Sequence, residues 1–105
     1  MTTFDNRENA FENQFAHDAE MQFRVIARRD KLLGLWGAEK LGIAGEAAET
    51  YAKTVVAADF EEAGDEDVIR KLVTDLAGTA VSETDIRNAL IEKAAIARQQ
   101  IMEAM

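Results

Sequence analysis

One histidine, His17, and no cysteine occur in the 105 residues. Imidazole chemistry therefore has a single candidate, and thiolate chemistry has none. A zinc site would need at least two carboxylates around that imidazole. The nearby acids, Asp18 and Glu20, do not share its helical face. His17 reads as a solvated residue, or as a pH-sensitive contact, because imidazole titrates near neutrality. Ser82 has no base in prospect and sits where a helix cap belongs. The stretch "GLWGAEKLG" (Gly34–Gly42) lacks phosphate-loop spacing: Gly37 and Lys40 are not adjacent, and no Ser or Thr follows the lysine. Its glycines fit a helix end or a close helix crossing. The acidic stretch "DFEEAGDED" (Asp59–Asp67) lacks the alternating ligands of a calcium loop. These signals describe a chain that is not an enzyme and carries no metal.

The cations Arg24, Arg28, Arg29 and Lys31 allow two readings, with Trp36 and Lys40 further along. One is ion pairing, at i, i+4 on a helix surface, where Glu20 is well placed for Arg24, and with acids on neighbouring segments. The other is a weak nucleotide site, in which guanidinium groups and the indole face meet an anion such as ATP or ADP.

A third group is aromatic. In "FDNRENAFENQFAHD" (Phe4–Asp18), Phe4, Phe11 and Phe15 fall within a narrow arc at helical spacing. Residues 1–24 contain no Leu, Ile or Val, whereas residues 25–105 contain twenty. Three rings alone recover too little on burial to offset the ordering of about fifteen backbone residues. An isolated helix of that length is marginal in water. The segment is expected to be mobile until a partner takes its rings, as a segment that folds on binding does.

The elements that must carry these groups are helical throughout, with four or five segments and no strand alternation. The first runs from about Asp5 to near Gly42, with breaks expected at Gly34 and Gly37. Along it, Ile26 and Leu33 continue the line of the rings, and Val25, Leu32 and Trp36 widen it. The second, Glu46 to Phe60, places Ala48, Tyr51, Ala52, Val55, Val56 and Phe60 on one face. Gly42 and Gly45 bracket its start. A third follows Gly64, with Asp65 as its expected N-cap, a stripe of Val68, Ile69, Leu72, Val73 and Leu76, and its end at Gly78. The last opens on Ser82-Glu83-Thr84-Asp85, a capping-box pattern with an acid in the glutamate position. Its face is Ile86, Leu90, Ala94, Ala97 and Ile101. The expected fold is all-α, with a mobile segment at residues 1–18 and a helical bundle over residues 19–105 whose aliphatic core begins at Val25.

The net charge of −8 is unevenly placed. Residues 1–20 carry −4, residues 21–44 carry +3, residues 45–67 carry −7, and residues 68–105 are neutral. Such a surface repels phosphate backbones and anionic lipid, which argues against nucleic acid and membrane as partners. Without cysteine, a signal peptide or a membrane span, an intracellular protein is expected.

The strings "FDNRENAFENQFAHD", "ARRDKLLGLW", "YAKTVVAADFEEAGDED", "VIRKLVTDL" and "DIR" resemble, in order and over essentially the whole chain, the zeta-subunit family of the alphaproteobacterial F-type ATP synthase. The resemblance implies a four-helix bundle and a cytoplasmic subunit, peripheral to the inner membrane through the synthase, that inhibits ATP hydrolysis. It implies that the N-terminal segment becomes helical as it enters an interface between alpha and beta subunits and meets the rotating gamma subunit, while the bundle docks outside. By position, Phe4, Arg7, Phe11 and Phe15 would be the contact side chains, with Asp5, Glu8, Glu12 and His17 around them. The rings would fill apolar pockets and Arg7 would meet carboxylates, so that the segment acts as a mechanical stop with no chemistry of its own. Against that pattern, Asn6, Asn9, Asn13 and Gln14 stand where lysine or acids are frequent, and Gly37 and Ala63 where Ala and Pro are commoner. The free chain would be a monomer. The competing readings are a bundle with a weak nucleotide site and a general protein-interaction adaptor.

Overall fold

The structure is a computed structural model that describes the backbone of residues 2–61 and 64–104 and the side chains of residues 19–61 and 64–104. It consists of four helices: α1 (Thr2–Lys40), α2 (Gly45–Ala58), α3 (Glu66–Asp75) and α4 (Glu83–Glu103). No strand occurs among the described residues. None of the helices searched is long and apolar enough to cross a membrane.

α2 and α4 both lie antiparallel on α1. Phe23 of α1 meets Phe60, just past α2, with ring centroids 5.6 Å apart. Arg28 donates to Gln100 of α4 at 2.8 Å, while Trp36 and Lys40 share a groove with Asp85 and Ala89 near the start of α4. With equal rise per residue, α2 and α4 both end opposite roughly residue 25 of α1. α1, at 39 residues, therefore extends well past both of its partners, which have 14 and 21 residues. The short α3 closes the other side of the core.

That core joins Leu33 of α1 to Val55, Val68, Ile69, Leu72, Leu76, Ile86, Ala89 and Leu90, with Trp36, Leu41, Tyr51 and Val81 packed against it. The expected aliphatic stripes supply most of these residues. Among the described residues, three members of the stripes are exposed, Ile26 of α1 among them. Val73 is on the solvent side of α3, and Phe60 lies beyond the last turn of α2 and is 58 % exposed.

The expected breaks at Gly34 and Gly37 do not occur; α1 is helical through both. Their role is close approach. A Cβ on Gly34 would lie 2.6 Å from the Ala52 Cα, so the absent side chain is what lets α1 and α2 cross in near backbone contact. α1 ends instead at Gly42, which takes φ 76°. There Ile43 N–H donates to the Ala38 carbonyl at 2.9 Å and Gly42 N–H to the Glu39 carbonyl at 3.0 Å. This is the Schellman pattern that only a residue at ease with positive φ completes cheaply.

The capping box of α4 is complete. Asp85 N–H donates to Ser82 Oγ at 3.1 Å, and Ser82 N–H donates to Asp85 Oδ2 at 3.0 Å. Ser82→Ala is expected to lower the unfolding free energy by about 1 kcal/mol, read from urea melts with an unchanged m-value. α3 differs from expectation. Asp65 holds the N-cap position but makes no capping bond, because its carboxylate turns to Arg29. The first-turn bond comes from Asp67, whose Oδ1 accepts from Val68 N–H at 2.9 Å.

Candidate functional site

Phe4, Asp5, Arg7, Glu8, Phe11, Glu12, Phe15 and His17 lie on α1, and their side chains are outside the described residues. The expected mobility of residues 1–18 falls there as well. What is described is the base from which the segment springs. Glu20 accepts from Arg24 at 2.7 Å in an exposed i, i+4 pair, as the surface-pairing reading expected. Just beyond, the Phe23 and Phe60 rings lie against each other, each more than half exposed. With exposed Ile26 and Met102, they leave apolar surface near the level where the bundle ends and α1 continues.

The six residues of the candidate nucleotide site divide among three places. Arg24, Arg28 and Lys31 line one groove between α1, α2 and α4, with a volume of about 590 Å³. Its floor is apolar, from Phe23, Ala27, Ala52, Val56 and Ile101, and its rim gains Lys53 and a single acid, Glu49. Glu49 stands 3.9 Å from Lys31. Trp36 and Lys40 lie in a second groove with Asp85 and Glu92. There the Lys40 ammonium sits 5.8 Å from the Trp36 ring. Lys53 could not be placed from the sequence, because its membership depends on where α2 crosses α1.

Arg29 joins neither groove. It is buried, and its guanidinium contacts three carboxylates. Nη2 meets Asp30 Oδ1 at 2.9 Å, Asp65 Oδ1 at 3.1 Å and Asp59 Oδ2 at 3.4 Å. Burial lowers the Arg29 pKa, but Asp30 and Asp65 outweigh it and leave the value raised. The Asp30 carboxyl is 1 % exposed. Burial first, and then the neighbouring Asp59 carboxyl, push it up to about 8 against the pull of Arg29. Pairing with acids on neighbouring segments was expected of the basic residues as a group; the burial of Arg29 was not. Arg29 resembles its basic neighbours in the sequence, and only the crossing of three elements turns it inward.

A second polar knot joins α2 to α3. Tyr51 of α2 donates to Asp75 of α3 at 2.8 Å, and Lys71 donates to the same oxygen at 2.9 Å. Burial and then the Asp75 carboxylate push the Tyr51 hydroxyl pKa up. At Asp75 burial acts upward, but Lys71 and Tyr51 prevail and hold the carboxyl below its ordinary value. On the surface, Arg87 of α4 reaches Glu66 of α3 through two bonds of 3.0 Å. These contacts tie α3 to α2 and α4. No group of three or more metal-ligating side chains occurs among the described residues.

A family model described as ATPase inhibitor subunit zeta matches residues 1–100. A solved structure, a solution NMR structure, is 49 % identical to the chain. The match covers 81 % of this chain and 99 % of that one, with a TM-score of 0.75. No curated protein matches.

Proposed function

The chain belongs to the ATPase inhibitor subunit zeta family, and we propose that it stops ATP hydrolysis by the F-type ATP synthase by inserting residues 1–18 as a helix between alpha and beta subunits. The observation that carries this reading is the unequal length of the helices. α2 and α4 end near one level of α1, and α1 continues. A helix that outruns its own partners offers its far faces to another protein, and in this chain those faces carry Phe4, Phe11 and Phe15. At i, i+7 and i+11 the three rings share one helical face, and a row of apolar anchors on one face is how an amphipathic helix seats in a groove.

In this reading the three rings fill pockets of the catalytic head. Arg7 meets carboxylates there, and Asp5, Glu8, Glu12 and His17 contact the rim. Hydrolysis requires the catalytic interface to close, and a wedged helix holds it open against the gamma subunit's turn. Rotation in the synthesis direction opens the interface and releases the wedge. The bundle stays outside, and the protein is cytoplasmic, held at the membrane only through the synthase. The full chain added to the isolated catalytic head is expected to elute with it and suppress hydrolysis in proportion to occupancy. Retrieval from a lysate without alpha and beta subunits would refute the reading.

One observation favours a second activity beside the first. The groove of Arg24, Arg28, Lys31 and Lys53 places four cations around an apolar floor, suited to weak ATP or ADP binding. Titration with ATP, followed by amide NMR shifts, is expected to move residues 24–31 and 49–56 while leaving Trp36 and Lys40 unchanged. No saturable shift over millimolar nucleotide would dismiss it.

A further inference from the structure

Asp30 is a polar residue that neither activity uses, and it is among the most deeply buried side chains of the molecule. Its two oxygens are treated unequally. Oδ1 takes both Arg29 contacts, at 3.0 Å from Nε and 2.9 Å from Nη2. Oδ2 is buried and has no hydrogen-bond partner. Its near side-chain neighbour besides Arg29 is another carboxyl, Asp59, which is also almost fully buried. Two carboxylates facing each other in such a place do not both ionise; one retains a proton and donates it to the other. That proton would give the orphaned oxygen its missing bond.

We propose that Asp30 and Asp59 hold a single shared proton beneath Arg29, that this proton fastens the α2–α3 connection to α1, and that its loss to water at alkaline pH loosens the connection. Asp59 ends α2 and Asp65 precedes α3, so both ends of the connection are tied to the Arg29–Asp30 pair. Beyond these ties, the Phe60 ring rests on Phe23 of α1, while Phe60 and Glu61 are both exposed. Among the described residues, the charged groups around the site are Arg29 from α1, Asp59 from the end of α2, and Asp65 and the buried Asp67 from the start of α3. α4 meets this stretch of α1 through the uncharged Gln100. With the proton in place, one guanidinium faces two carboxylates and a neutral acid. Without it, three carboxylates share one cation, and two of them are out of reach of solvent screening.

The direction of the pH dependence follows. The Asp30 pKa is raised in the folded chain from 3.8 to about 8. Its contribution to stability is complete below the unfolded value, declines as pH rises between the two, and is gone above the folded one. Asp75, Asp85 and Glu66 are lowered, so their contribution is lost on the acid side, below their ordinary values. Among the described residues, the aspartate pair therefore sets the slope between roughly pH 5 and 8.

The test uses the full chain. Carboxyl carbon shifts of Asp30 and Asp59 are followed from acid to alkaline pH, with melting temperature and amide exchange along residues 59–61 and 64–66. One of the two carboxyls is expected to titrate near pH 8, with a melting temperature that falls across the same interval. Exchange in the connection, corrected for its intrinsic pH dependence, should rise about tenfold above that midpoint. Asp30→Asn should flatten the melting profile and abolish the titration near pH 8. If that variant does not fold, Asp59→Asn should lower the Asp30 midpoint instead. Both carboxyls of the unaltered chain titrating below pH 5 would overturn the proposal.

Discussion

Deleting residues 1–18 is expected to abolish inhibition of ATP hydrolysis and to leave the bundle folded. The two halves of this result have separate causes. The core residues all lie at Leu33 or later, and the interhelical contacts at the end of the bundle begin with Phe23, Arg28 and their partners. The truncated chain therefore keeps its packing, and its melting temperature should stay within a few degrees of that of the full chain. In the proposed wedge, by contrast, inhibition needs the rings at Phe4, Phe11 and Phe15. Aromatic anchors in desolvated pockets carry a disproportionate share of binding energy, commonly about 2 kcal/mol or more each on truncation. Removing all three should leave residual hydrolysis indistinguishable from the uninhibited rate at concentrations where the full chain saturates. Steady-state ATPase assays on the isolated head, beside circular dichroism of the truncated chain, check both halves. A truncated chain that inhibits as well as the full one contradicts the proposed wedge.

The second large effect is structural. Gly34→Ala is expected to lower stability by about 2 kcal/mol, despite alanine's better helix propensity. The added Cβ would stand 2.6 Å from the Ala52 Cα and 3.0 Å from its Cβ. Neither atom can swing aside as a side-chain tip can, so α1 and α2 must move apart along a seam that includes Val55 and the Lys31–Glu49 approach. For a domain of this size the melting temperature should drop by about 8–16 °C. Gly37 supplies the contrast on the same helix. A Cβ there would meet the Leu72 Cδ2 at 3.1 Å and the Tyr51 Cε2 at 3.3 Å, both on side chains able to yield. Gly37→Ala should be neutral to within about 1 kcal/mol, since the propensity gain offsets the tightening. Equal melting temperatures for the two variants would show that the helix crossing does not depend on Gly34.

These contrasts show what the sequence could reveal. The helical period and the aliphatic stripes located the core, because spacing at three and four residues is a local property and burial follows it. Ser82 and Asp85 were legible for the same reason: a capping box lies within one turn. Gly34 and Gly37 were read as a helix end or a close helix crossing, and the sequence could not choose, because a glycine needed for contact and a glycine needed for a turn look alike until the facing helix is known. Asp65 looked like a cap by its type and place, but a long-range partner, Arg29, took its carboxylate. The groove around Arg24, Arg28, Lys31 and Lys53 was half legible. Three of its cations are neighbours on one helix, whereas Lys53 arrives from another. The contact side chains at Phe4, Arg7, Phe11 and Phe15 come from the resemblance and from the scarcity of aliphatic residues around them. The structure contributes the length of helix that carries them.

The central claim is that residues 1–18 enter the catalytic interface. The chain has no cysteine, so Phe11→Cys creates a unique attachment point for a short photo-activated cross-linker. In the inhibited complex, cross-links from position 11 should fall on alpha and beta subunits at a catalytic interface, and on gamma when the tether allows. A control thiol from Ile91→Cys, on an exposed position of α4, should reach only outer surfaces of the head. Cross-links from position 11 confined to outer surfaces, in a complex that is nevertheless inhibited, would contradict insertion.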